Sequence, residues 1–178
     1  MSDQRVLLVG MMGVGKSAVG RVIAERTGWP YVDNDDLLHE NTGLYGADLL
    51  ERDGVDALRD AEAEALSEIL QHDPPLVAGV AAGVVLREHD RGRLKNGGVV
   101  VWLRARTETL VARIGNDRDR AWLQPEPAAA LRALAEGRDP LYAGISDLTI
   151  DVDDRSPDEI AQQVIDALPR LSTPCSGS

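Results

Sequence analysis

Phenylalanine is absent from this 178-residue chain, and aromatic residues make up only 3% of it. A core built from it must be Val, Leu, Ile and Ala, and Trp29, Trp102 and Trp122 are too scattered to form a base-stacking platform. Cysteine occurs once, at Cys175, so an intrachain disulfide framework is excluded and a reducing cytoplasm is the expected compartment. Lysine is nearly missing as well: of nineteen cationic side chains, only Lys16 and Lys95 are lysine. Thirty Asp and Glu leave a formal net charge of −11. That balance argues against a nucleic-acid partner, which needs a basic face to displace counterions, and against an acidic membrane surface. No apolar run reaches the roughly 18 residues of a membrane span, and MSDQRVLLVG lacks a signal-peptide layout. His39, His72 and His89 show no metal-ligand spacing, and no Ser-His-Asp order stands out.

What is present suits one domain over residues 1–171, followed by a small polar tail, 172–178, expected to be disordered. Five short β-rich runs fall at 5–10, 31–33, 75–78, 99–103 and 148–152. The first and fourth are nearly unbroken apolar runs, as in strands buried on both faces of a parallel sheet. Helical periodicity fills 16–27, 57–70, 107–114, 127–136 and 156–168. The first places Val19, Val22 and Ile23 on one stripe. The second repeats Leu58, Ala61, Ala65, Leu66 and Ile69, with its charges expected on the opposite face. The last opens on Ser156 as N-cap, Pro157 in the first turn and Glu159 closing a capping box. Strand–helix alternation of this kind reads as α/β with a parallel sheet.

Gly10-Met11-Met12-Gly13-Val14-Gly15-Lys16-Ser17 satisfies G-x-x-x-x-G-K-[ST] between a strand and a helix, the setting a phosphate loop requires. Glycines let successive N–H groups point at phosphate oxygens, and the helix N-terminus adds a favourable dipole. Lys16 is expected to reach the β- and γ-phosphates of ATP, and the Ser17 hydroxyl to ligate Mg²⁺. Lysine usage supports this reading. A chain that writes Arg at almost every cationic position has Lys here, where a compact ammonium fits and a planar guanidinium does not.

The resemblance then extends beyond the loop. GMMGVGKSAVGRVIAERTGWPYVDNDDLL, ALRDAE, RAWL and RDPLY follow one another as the phosphate loop, Asp-x-Asp, Phe-Arg-x-x-Glu, lid and Arg-x-Pro-Leu-Tyr segments of shikimate kinases do, and the chain resembles that family. The resemblance implies a P-loop kinase three-layer sandwich, with a five-stranded parallel sheet covered by helices on both faces. It implies phosphorylation of a hydroxyl of a small carboxylate-bearing acceptor, shikimate plus ATP giving shikimate 3-phosphate and ADP, by a cytoplasmic monomer. Gly13, Val14, Gly15, Lys16, Ser17 and Ala18 would hold the phosphates. Asp33 would join Ser17 in the Mg²⁺ shell, and Asp35 would serve the acceptor hydroxyl as base or orienting acceptor. Arg59 and Arg138 would clamp the acceptor carboxylate, with Ala81 and Ala82 beside it. The lid, about 115–126, would bring Arg120 to the transferring phosphate, while Arg113, Arg155 and Pro157 flank the adenine.

Read without the resemblance, several of these residues have plainer roles. An aspartate of the VDND run can cap the following helix. Arg59 and Glu62, three apart, form an ordinary solvated helix pair. The chain also departs from the family where Val80-Ala81-Ala82 stands for the family's Gly-Gly-Gly, where Ala121 and Trp122 replace lid Pro and Leu, and where Leu58 replaces Phe. The nucleotide half is thus closer to the family than the acceptor half. A gluconate-like hydroxy acid or a nucleoside monophosphate is the alternative acceptor, and an ATP-binding module without turnover the alternative class.

Overall fold

A computed structural model describes residues 4–114 and 126–171. The expected strands form as β1 (Arg5–Val9), β2 (Tyr31–Asp33), β3 (Leu76–Gly79), β4 (Val99–Arg104) and β5 (Leu148–Asp151). They make one parallel sheet in the order β2-β3-β1-β4-β5. Val6, Leu7, Leu8, Val100, Val101 and Leu103 are fully buried, which is why these strands read as unbroken apolar runs.

Among the described residues the helices are α1 (Lys16–Thr27), α2 (Asn34–Thr42), α3 (Gly46–Gln71), α4 (Glu88–Gly97), α5 (Thr107–Ile114), α6 (Pro127–Ile145) and α7 (Pro157–Leu171). A single 3₁₀ turn, Val84–Leu86, follows β3. Right-handed crossovers put α1 on one face and α3, α4 and α6 on the other, in agreement with the packing of α4 on α6, and α7, which follows the last strand, packs on α1. None of these helices is long and apolar enough to cross a membrane.

Four expectations about the helices are corrected. Helix α4 replaces a stretch where no helix was expected, and α2, expected only as the helix that an aspartate of the VDND run could cap, lies outside the stretches of helical periodicity. Helix α3 begins at Gly46 rather than 57 and changes direction at Gly54, whose φ of 88° no helix accommodates. Helix α6 runs past 136 to Ile145 with Pro140 inside it. The capping box of α7 forms as expected: Glu159 Oε2 accepts from the Ser156 N–H at 2.8 Å, and the Glu159 N–H donates to Ser156 Oγ at 3.3 Å. The expected tail, 172–178, lies outside the described residues.

The strand order matters for function. From β1 the chain crosses to β2 on one side, and from β3 it crosses to β4 on the other. The sheet therefore reverses winding between β1 and β3, and the crevice beyond their carboxyl ends is where ligands of such sheets collect.

Candidate active site

Two loops border that crevice: 10–15 after β1 and 80–83 after β3. A cleft of about 660 Å³ lies there, lined by Gly13, Gly15, Lys16, Ser17, Ala18, Asp33, Asp35, Arg59, Glu62, Val80, Ala81, Ala82, Arg113 and Arg138, among others. Most of the residues singled out from sequence therefore meet in one place. Arg120 and the lid core, 115–125, lie outside the described residues. Arg155 does not line the cleft. Its guanidinium donates to Gln163 Oε1 at 2.7 Å, in a separate surface depression along α7, and Pro157 is exposed in the first turn of that helix.

At one end the phosphate loop takes its turn through Gly13 and Gly15, at φ 77° and 103°, values that side-chain-bearing residues rarely adopt. Gly15 also stands at the N-terminus of α1, where no side chain caps the free N–H groups. Those donors and the helix dipole are what an anion would meet. Lys16 Nζ donates to Gly10 O at 2.9 Å and Met11 O at 3.1 Å, which holds the ammonium over the loop. Arg113 braces the loop from outside, donating to Val14 O at 2.8 Å.

Asp33 serves two purposes at once. Its Oδ1 caps α2 by accepting the Asp35 N–H at 3.0 Å, the plainer role foreseen for this run. Its Oδ2 accepts from Ser17 Oγ at 2.7 Å and from Tyr31 Oη at 2.6 Å. Burial, then the Asp33 charge, pushes the Tyr31 phenol well above the ordinary tyrosine range, so it stays a neutral donor. The Ser17 hydroxyl and the Asp33 carboxylate offer adjacent hard oxygens, which fits a Mg²⁺ that keeps water and takes substrate oxygens for its remaining positions. Among the described residues no trio of His, Cys, Asp or Glu is grouped to hold a metal alone, so a metal caged by the protein is not what this donor set suits.

The other end is cationic and partly apolar. Arg59 Nη1 donates to Glu62 Oε2 at 2.5 Å, and both side chains are largely buried. The plainer reading of a solvated helix pair does not hold: Glu62 sits i+4 from Leu58 on the buried stripe, not on the solvent face. Burial raises the Glu62 pKa above the ordinary glutamate range despite the Arg59 charge, and Asp35 adds to the rise. Arg138 is 5% exposed, and burial draws its pKa down, with the Arg59 charge contributing. Four residues on, Tyr142 lies on the same face of α6 and donates to Ala82 O at 2.8 Å. Two guanidiniums thus face one buried carboxylate, an excess of positive charge that suits an anionic ligand. Leu50, Val55, Leu58 and Leu134 supply the apolar wall.

Glu62 gives a testable stability signature. A carboxyl whose folded pKa lies above its unfolded value binds more proton in the folded state, so its contribution to stability is lost as pH rises through that window. The melting temperature of Glu62→Gln relative to the parent should therefore climb as pH is raised from about 4.5, the reference value for glutamate. Melting curves of both proteins across that range check this. A difference that does not vary with pH would place Glu62 in a solvated setting.

The comparisons with known proteins agree with this arrangement. A family model described as shikimate kinase matches residues 12–169. The shikimate kinase of Synechococcus sp. (strain CC9902) is 38% identical over 173 residues, covering 96% of this chain and 89% of that protein. That of Symbiobacterium thermophilum is 38% identical over 92% of this chain and 95% of its own length. Among solved structures, shikimate kinase from Acinetobacter baumannii in complex with shikimate superposes with a TM-score of 0.90 at 31% identity, covering 96% of each chain.

Proposed function

The chain belongs to the shikimate kinase family, and on that premise we propose that it transfers the γ-phosphoryl group of ATP to a hydroxyl of shikimate, giving shikimate 3-phosphate and ADP. The observation that carries the reading is the pairing, in one cleft, of a phosphate loop with two arginines that have a single buried carboxylate between them to neutralise. Forked guanidinium donors match a carboxylate bidentately, and the apolar wall suits the carbon ring that bears it.

In this reading the loop N–H groups and Lys16 bind the phosphates, and Arg59 and Arg138 fix the acceptor by its carboxylate. Asp35 takes the proton of the attacking hydroxyl as the acceptor oxygen forms its bond to phosphorus and the bond to ADP breaks. Little covalent chemistry is asked of the protein, because positioning and charge neutralisation carry most of phosphoryl transfer. Ser17 and Asp33 would hold Mg²⁺, which supplies charge neutralisation on the phosphates when bound. Arg120 is assigned to the transferring phosphate by its place in the RAWL segment.

The test is ADP release with Mg·ATP and a panel of shikimate, quinate, gluconate and AMP. Turnover with shikimate and background rates with the others is the expected result. Turnover with gluconate or AMP alone would replace the acceptor, and ATP binding without turnover on any of them would make the chain a binding module.

A further inference from the structure

The Tyr31 ring stands in a slot cut by two glycines. One is Gly20, buried inside α1; the other is Gly79, the last residue of β3 and the partner of Asp33 in the sheet. Neither glycine has the left-handed φ that would call for it. Glycine weakens a helix or a strand from within, so each needs another reason. What each makes room for is the tyrosine. A Cβ on Gly20 would overlap the ring at Cε2, and one on Gly79 would come within 2.6 Å of Tyr31 Oη and 3.1 Å of Asp33 Oδ2. The Arg21 guanidinium, 5.6 Å from the ring centroid, helps to keep the ring there.

The slot aims the phenol at the carboxylate oxygen that Ser17 also uses. Residues two apart share a face of a strand, and Tyr31 Oη donates to Asp33 Oδ2 at 2.6 Å. The same oxygen accepts from Ser17 Oγ at 2.7 Å, while Oδ1 is committed to the Asp35 N–H at 3.0 Å. A carboxylate oxygen offers about two lone-pair sites, so the two hydroxyls fill those of Oδ2. The cap on Oδ1 alone would leave the other oxygen free to swing; the phenol holds it toward Ser17. With its proton on Asp33, the Ser17 oxygen keeps its lone pairs for a cation. Tyr31 does not line the cleft, so its effect on an ion there passes through Asp33.

We propose that Tyr31 is a positioning residue for the metal-binding pair: held in the slot between Gly20 and Gly79, it fixes the Asp33 carboxylate, and through it the Ser17 hydroxyl, in the arrangement that a divalent cation meets. The inference rests on the reading of Ser17 and Asp33 as the side chains that hold Mg²⁺. It adds that this pair is oriented before ion and nucleotide arrive, by a hydroxyl that belongs to neither the phosphate loop nor the cleft wall.

The experiment compares the parent, Tyr31→Phe, Gly79→Ala and the double variant, with Ser17→Ala as the control for the site itself. Mn²⁺ stands in for Mg²⁺, and its affinity for the ADP-saturated protein is read by electron paramagnetic resonance. ADP affinity in EDTA is read by calorimetry, alongside melting temperatures. Tyr31→Phe keeps the ring and removes the bond. It should weaken Mn²⁺ binding by about tenfold or more, the loss usual when a metal ligand loses the partner that orients it, while metal-free ADP affinity stays that of the parent. A packing defect alone would move both affinities together. Gly79→Ala should also weaken Mn²⁺, since its methyl collides with Oη, and the double variant should be no worse than Gly79→Ala. Mn²⁺ binding that is unchanged or tighter in Tyr31→Phe overturns the proposal, as do additive losses in the double variant. Should Gly79→Ala not fold, Tyr31→Phe decides alone. A Ser17→Ala variant that binds Mn²⁺ as the parent does would instead defeat the metal reading beneath the proposal.

Discussion

Replacing Lys16 with Met should lower kcat about 10²- to 10³-fold, the loss typical of removing one donor that stabilises transition-state charge, while the melting temperature barely moves. Lys16 Nζ is held by Gly10 O and Met11 O at 2.9 and 3.1 Å. These are part-buried bonds within one loop, and the hydrophobic core does not depend on them. The conservative change is more informative. Lys16→Arg keeps the charge but replaces a compact ammonium with a planar fork, so it should be nearly as damaging. In a chain with seventeen arginines and two lysines, an active Lys16→Arg variant would show that lysine is an accident of composition at this position. Single-turnover rates with saturating ATP and shikimate, alongside thermal melts, separate these outcomes.

The elements that could be read ahead of the structure are those whose burial is regular. β1 and β4 are covered on both faces, so Val6–Val9 and Val99–Leu103 are unbroken apolar runs and only the arginines at the ends, Arg5 and Arg104, interrupt the pattern. Helices α2 and α4 are the opposite case. In NDDLLHENT only Asn34 and Leu38 are buried, and in EHDRGRLKNG only Asp90 and Leu94, so neither shows an apolar stripe. For α2 the usable signal was at its ends: Asp33 as cap, Asp35 and Asp36 in the first turn, and Gly43 in the left-handed conformation after the last turn. Helix α6 misled in another way. Gly137 and Pro140 are residues that end helices in isolation, yet Leu131, Arg138, Tyr142 and Ile145 are buried along one face, and that packing carries the helix through. Because of this continuation, Arg138 and Tyr142 are rigidly spaced on one helix.

Within the site, motif residues were legible and their supports were not. Lys16, Ser17, Asp33, Asp35, Arg59 and Arg138 all line the cleft: the first four sit at strand ends and helix starts where motifs leave a fixed spacing, and the two arginines lie within α3 and α6, in the segments ALRDAE and RDPLY. Tyr31 looked like any strand aromatic. Only the fold turns its hydroxyl back onto Asp33, two residues on in the same strand. Glu62 did leave a trace, a charge at a stripe position between Leu58 and Leu66, where a buried acid needs a charged partner. Here it holds Arg59, at the cost of a carboxylate whose ionisation the fold opposes.

Asp35 is the residue whose replacement should cost most in chemistry without costing the fold. Its side chain is exposed in the cleft, and its backbone N–H, not its carboxylate, takes part in capping α2. Two variants divide its possible roles. Asparagine keeps an oxygen that can orient the acceptor hydroxyl but cannot take its proton, whereas alanine removes both. If Asp35 is the base, Asp35→Asn should lose about 10²- to 10⁴-fold in kcat, the range expected for a positioned proton acceptor, and Asp35→Ala should be little worse. If it only orients, Asp35→Asn should stay within about tenfold of the parent, one hydrogen bond's worth, and alanine alone should collapse. The shikimate KM serves as the internal control, because Arg59 and Arg138, not Asp35, are assigned the carboxylate. A large rise in that KM with kcat preserved would move Asp35 from the reacting hydroxyl to acceptor binding and remove the proton transfer from it.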